Sequence, residues 1–265
     1  MAMNHDPEFA DSLWNWKTKN FSVMGATDDD YSVMLPFIIS RGKARNIIIG
    51  LDFFSFARQR GAINQYLYDD NRFNDYEYLL NYTSLKNAIQ FILNPQKEKG
   101  LYHFNSPVGK THLSSDFGKK INSKGYNEET FDLPVMKHRF EESILKTIIS
   151  SPDSINWYVY FPPYSIGEFI IYDKYSDLDN ILSFKQYIIK SMLHLKNVEI
   201  YDFQCAPWIT NLEQYMDLRH HSHCYNREIL KEIHNGNYRI ASELDCDYVG
   251  LKKLVKAYTD SLIAK

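Results

Sequence analysis

The segment Tyr215-Met-Asp-Leu-Arg-His-His-Ser-His-Cys-Tyr-Asn-Arg-Glu-Ile-Leu holds the residues best suited to chemistry. An aspartate three residues before a histidine, as in Asp217-Leu218-Arg219-His220, can orient an imidazole and stabilise its protonated form, so that the other ring nitrogen acts as a general base. Such a pair suits acyl transfer to or from a serine and calls for a nucleophile. No Gly-Asp-Ser and no Gly-x-Ser-x-Gly occurs in the chain. Ser12, Ser22, Ser55 and Ser165 lie near expected strand ends or turns, but none sits in a glycine elbow. The nucleophile is therefore not identified. His220, His221, His223 and Cys224 are crowded together as metal ligands often are, yet they lack the two separated ligand pairs of a structural zinc site, and no His-Glu-x-x-His is present. No metal is expected. The plain alternative for Asp217 and His220 is a hydrogen-bonded or capping pair at the start of a helix expected over Asn226–Ile233.

These residues need elements to hold them. Three short apolar runs bounded by turn residues read as strands: Asn46–Gly50, Trp157–Phe161 before Pro162-Pro163, and Val198–Asp202. Asn20–Met24, before Gly25, is a weaker fourth. Helical spacing runs over Asp29–Ile39, Glu128–Ser150, Ser183–Leu195 and Tyr248–Ile263, with Pro36 expected to kink or shorten the first. Strands alternating with helices imply an α/β fold with a parallel, helix-flanked sheet. Residues 57–125 break that rhythm. They are rich in Asn, Tyr and Lys, with a helix expected over Ser84–Leu93 and a loop over Asn105–Ser115, and they read as an insertion or cap within a single 1–265 domain. Gly109-Lys110-Thr111 is not a phosphate loop, because the glycine that must open one is absent from the preceding residues.

The bulk numbers bound the partners. With 265 residues and 44% hydrophobic content, the chain can bury a core. A net charge of −3 gives no electrostatic footprint for nucleic acid. The 20 Tyr and 16 Phe fit a glycan-facing cleft, but an AT-rich coding sequence produces the same bias. Cys205, Cys224 and Cys246 form no Cys-x-x-Cys pair, so neither a disulfide framework nor a redox compartment follows. The first residues lack a basic region followed by an apolar run. Oligomeric state is not legible.

Taken in order, Asn20-Phe-Ser-Val-Met-Gly25-Ala-Thr, Ile47-Ile-Ile-Gly-Leu-Asp-Phe-Phe-Ser-Phe56, Tyr158-Val-Tyr-Phe-Pro-Pro-Tyr164 and Asp217-x-x-His220 resemble the SGNH (GDSL-like) hydrolase superfamily. The resemblance is to its bacterial surface-polysaccharide branch, which includes proteins similar to the teichoic-acid D-alanine transfer and alginate O-acetylation proteins. It implies a flavodoxin-like three-layer α/β sandwich and a serine esterase or O-acyltransferase acting on a cell-surface or exported polysaccharide, without metal or organic cofactor. His220 and Asp217 match the base and acid, and Gly25 the glycine whose N–H helps form an oxyanion hole. Asp52, Pro163, Tyr164 and His221 match positions that line the site. Asp52 stands where the family has an amide side chain, and a carboxylate there opposes a developing oxyanion. The block carrying the serine is absent, so the resemblance implies a chain that starts just after its nucleophile, lacks its first central strand and is inactive as it stands. A four-stranded parallel sheet with a gap or open edge beside Ile47–Gly50, or compensation by dimerisation or by a strand from the 57–125 insertion, is then expected. A membrane-bound acyltransferase partner, and a periplasmic or cell-surface location if an upstream anchor exists, follow from the same resemblance. The alternative is a non-catalytic glycan-binding or assembly protein with a degenerate site.

Overall fold

The computed structural model of the chain describes residues 5–23, 25–58, 85, 86, 89, 113–122, 131–245 and 247–263. Most of the 57–125 insertion lies outside the described residues, including Gly109-Lys110-Thr111 and all but three positions of Ser84–Leu93.

The three strongest apolar runs become the sheet: β1 (Asn46–Gly50), β2 (Asn156–Phe161) and β3 (Val198–Asp202). All are parallel in the order β1-β2-β3, with Asn46 beside Asn156 and Trp157 beside Val198. Among the described residues the sheet has three strands, not four, and β1 is an edge strand. Residues 20–23 form no strand. Their local chemistry explains this, because the Asn20 side chain accepts the Ser22 N–H at 2.8 Å and donates to the His5 carbonyl, a turn that competes with strand pairing.

The helices are α1 (Pro7–Trp14), α2 (Asp28–Ser40), the short α3 (Phe54–Ala57), α4 (Leu113–Asn122), α5 (Leu133–Phe140), α6 (Lys146–Ser150), α7 (Ile166–Lys174), α8 (Leu178–Met192), α9 (His223–Asn235) and α10 (Tyr248–Ile263). Helix α2 runs through Pro36 without ending, and its start is fixed by a Thr27–Asp30 capping box. A π-helical turn, Glu141–Leu145, joins α5 to α6, so the expected 128–150 helix begins only after Asp132, whose side chain caps it at the Val135 N–H. Leu113, Ser114 and Ser115 open α4 instead of belonging to a loop.

Both faces of the sheet are covered. Ile47, Ile49, Trp157, Val159, Phe161, Val198 and Ile200 face a large core filled from α2, α5, α6, α7, α8 and α10. On the other face Ile48, Tyr158, Tyr160 and Tyr201 pack with Trp14 of α1 and Ile229 and Ile233 of α9. This two-sided burial is why the strands read as continuous apolar runs and not as alternating ones. Gly50 is required by close packing, since a Cβ there would lie 2.6 Å from the ring of Tyr160. Among the described residues no helix is long and apolar enough to cross a membrane.

A buried ion pair joins a helix to the end of the sheet. Lys185 of α8 is fully buried, donating to Asp202 at the end of β3 (2.6 Å) and to the Gln204 side chain (3.1 Å), with Phe161 beneath its ammonium group. Asp202 also accepts the Gln204 N–H at 2.9 Å. Removing one partner of such a pair leaves the other charge uncompensated, which costs about 3–5 kcal/mol. Lys185→Met is therefore expected to lower the urea unfolding free energy by about that amount; a loss within the error of the measurement would contradict it.

Candidate active site

The residues singled out in the sequence gather in loops at the carboxyl ends of the strands, where open parallel sheets place their ligand sites. Asp52 follows β1, Pro163 and Tyr164 follow β2, and Asp217–His221 lies in the connection from β3 to α9. A tight antiparallel turn presents the pair. Tyr215 and His221 form an isolated bridge, the Met216 N–H donates to the His220 carbonyl at 2.9 Å, and the Ser222 N–H donates to the Gln214 carbonyl at 2.8 Å.

At the tip of this turn Asp217 Oδ2 lies 2.7 Å from His220 Nδ1. The other carboxylate oxygen accepts the backbone N–H groups of Arg219 (2.9 Å) and His220 (2.8 Å). Burial raises the Asp217 pKa, but the imidazole hydrogen bond, the His220 charge and these two N–H donors outweigh it and hold the group at about 2. Asp217 is thus ionised at neutral pH, and its carboxylate is placed to accept a proton held on His220 Nδ1, the tautomer that leaves Nε2 as the basic nitrogen. The side chains are half exposed, at 45% for Asp217 and 51% for His220. Neither residue is the N-cap of α9, which starts at His223 after Ser222, so of the plain alternative the hydrogen-bonded pair stands and the capping one does not.

The turn is anchored to the first turn of α7. Ser165 donates both its N–H (3.0 Å) and its hydroxyl (2.8 Å) to the Leu218 carbonyl. Arg219 Nε donates to Glu168 at 2.5 Å while its guanidinium lies 5.2 Å from the Phe54 ring centre. Gly167 makes room for this docking, since a Cβ there would lie 2.7 Å from a Leu218 methyl and 2.6 Å from the Phe117 ring. Ser165-Ile-Gly-Glu168 has the spacing of a capping box, but Ser165 makes no side-chain cap and both side chains turn instead to the 217–220 turn.

The other named residues have defined places. Asp52 accepts a hydrogen bond from the fully buried Tyr164 hydroxyl at 2.7 Å, and burial and the Asp52 charge push the Tyr164 pKa well up. The Pro163 carbonyl accepts the Tyr215 hydroxyl at 3.0 Å. His221 is 4% exposed, its Nε2 lies 3.0 Å from the Asn226 side-chain oxygen, and burial is the main cause that lowers its pKa to about 3. Gly25 adopts a left-handed conformation (φ 62°) in an exposed turn before α2. Among the described residues no hydrogen bond links that turn to Asp217 or His220. The hydroxyls of Ser12 and Ser165 donate to the backbone carbonyls of Phe9 and Leu218. Ser55 is buried, and none of Ser12, Ser22, Ser55 and Ser165 is hydrogen-bonded to His220. Among the described residues no three His, Cys, Asp or Glu side chains converge as metal ligands. Comparison with protein-family models, curated proteins and solved structures gave no significant match.

Sequence reasoning missed Ser165, Gly167, Glu168 and Arg219 as the supports of the turn. The capping-box spacing was the available signal, but it points to a helix start and not to a docking point.

His221 makes the turn acid-sensitive. Its folded pKa lies far below the ordinary 6.5, so between pH 6.5 and about 3 the unfolded chain binds the proton more readily. The stability it confers is complete above pH 6.5 and falls as pH drops toward 3. Thermal melts at pH 7, 6, 5 and 4 are expected to show this decline, and His221→Gln, which keeps a partner for Asn226, is expected to flatten it. Equal slopes in both proteins would contradict the assignment.

Proposed function

We propose that the chain is an SGNH-like serine ester hydrolase or O-acyltransferase domain acting on a cell-surface or exported polysaccharide. The observation that carries the reading is the Asp217–His220 pair, held at 2.7 Å in the connection after the last strand at the carboxyl edge of a parallel sheet. In this reading His220 Nε2 takes a proton from a serine hydroxyl and returns it to the leaving group, and Asp217 stabilises the imidazolium formed between the two steps. The fold is proposed to be flavodoxin-like. Support comes from helices on both faces, with α1 and α9 together on one and the helices connecting the strands on the other. The open edge of β1 is where such a fold has a further parallel strand. No cofactor is required by this chemistry, and a membrane-bound acyltransferase is the partner class that transfer, as opposed to hydrolysis, would need.

A second reading is favoured by one observation. Asp52, which the resemblance puts in the place of an amide donor, accepts a hydrogen bond from Tyr164, and a carboxylate in that place opposes a developing oxyanion. A non-catalytic glycan-binding or assembly protein with the same fold tolerates that charge.

Short-chain nitrophenyl ester hydrolysis separates the two. Residues 1–265 are expected to hydrolyse the ester no faster than their His220→Ala variant. A polypeptide in which a Gly-x-Ser strand is supplied N-terminal to residues 1–265 is expected to be active and to lose activity, by about 10³-fold or more, in His220→Ala. An inactive extended chain that retains glycan affinity would establish the second reading. His220-dependent turnover by residues 1–265 would show that the nucleophile lies within them.

A further inference from the structure

The Asp217–His220 contact is too weak to hold itself. Two half-exposed side chains in an ion-pair or hydrogen-bonded contact gain roughly 0–1 kcal/mol, comparable to the rotamer entropy lost in fixing them. The geometry must come from something stiffer, and the residue between the two members supplies it.

We propose that Arg219 is a positioning residue for His220, acting through the buried carboxylate of Glu168. The inference rests on the acid–base reading of Asp217 and His220. Glu168 is 2% exposed in the first turn of α7 and meets Arg219 Nε at 2.5 Å. The guanidinium plane is fixed a second time by Phe54 on α3, so that Arg219 is held from the β1 side and the β2 side of the site at once. Its own backbone N–H donates to Asp217 Oδ1, the oxygen that also accepts the His220 N–H. Anchoring the Arg219 side chain therefore fixes the peptide that aims the Asp217 carboxylate, and the carboxylate aims the imidazole. Ser165 holds the neighbouring Leu218 carbonyl, which removes the remaining freedom on the other side of the turn.

Arg219 also has an electrostatic task. Glu168 is a second carboxylate near enough to the turn that the Asp217 charge helps to raise its pKa. Burial raises the Glu168 pKa and the Arg219 charge and hydrogen bond oppose that rise, so the arginine neutralises Glu168 and leaves Asp217 as the carboxylate directed at His220. A lysine reproduces the charge but neither the planar contact with Phe54 nor the directional Nε–H.

The test reads the imidazole directly and needs no catalytic turnover. Long-range ¹H–¹⁵N correlation spectra of histidine-labelled residues 1–265 at pH 8 report which ring nitrogen of His220 carries the proton. The native protein is expected to show a majority of the Nδ1–H form. Arg219→Met is expected to lose that majority while the His221 signals, from the buried imidazole next to it in sequence, stay in place. Arg219→Lys is expected to lose most of it, and Glu168→Gln, which keeps an acceptor for Nε–H in the same volume, to retain part. Should Arg219→Met fail to fold, Arg219→Lys and Glu168→Gln decide on the same spectrum. An undiminished Nδ1–H majority in every folded Arg219 variant would overturn the proposal while leaving the acid–base pair intact. A native protein without that majority, or one in which Asp217→Asn changes nothing, would overturn the acid–base reading itself, and the positioning role with it.

Discussion

A carboxylate excluded from water is costly unless it is hydrogen-bonded, paired or protonated, and in this protein Glu168 is paired with Arg219 next to the Asp217–His220 turn. Glu168 lies almost wholly inside, at the start of the helix that follows β2, and Arg219 meets it there. Separating them would leave an uncompensated buried charge at a cost of about 3–5 kcal/mol. That exceeds the worth of the half-exposed Asp217–His220 contact several times over. The turn carrying the pair therefore follows the position of α7, and α7 follows β2. Lys185 and Asp202 apply the same constraint one strand away, joining α8 to the end of β3. One buried and one part-buried ion pair thus tie the loops at the carboxyl edge of the sheet to the helices behind it.

The consequence for function is a rigid frame with an accessible tip. Tyr164, Ser165, Leu218 and the Arg219–Glu168 contact are buried or partly buried, whereas Asp217 and His220 project half exposed beyond them. An acid–base pair needs this combination, because the imidazole must keep one orientation and still reach a substrate. Asp52 and Tyr164 bring a second carboxylate and a phenol to the same edge. Their hydrogen bond pairs the two groups at this end of the sheet.

Much of the frame was legible because it depends on local pattern. The runs Ile47–Gly50, Trp157–Phe161 and Val198–Asp202 are apolar enough to be buried on two faces, and each became a strand. Tyr248–Ile263 shows helical spacing along its whole length and became α10 with those bounds. Asn20–Met24 has the look of a short apolar run before a turn, but Asn20 uses its amide to close a turn, and that competition does not show in an apolar pattern. Asp217 and His220 were legible because their contact is itself local, three residues apart. Their supports were not, since Arg219 and Glu168 are 51 residues apart and meet only when the strands align. Ser165 and Glu168 carried the pattern of a helix cap, and only tertiary packing diverts them to another loop.

The central claim is that Asp217 keeps His220 as a directed, half-exposed base, and acylation of histidine by diethyl pyrocarbonate, followed by mass spectrometry, tests it most directly. The reagent attacks an unprotonated ring nitrogen, and in this account Asp217 orients His220 so that Nε2 is that nitrogen. His220 is expected to react faster than the buried His221, and Asp217→Asn is expected to slow it several-fold without changing the other histidines. Equal His220 rates in the native protein and in Asp217→Asn would contradict the account.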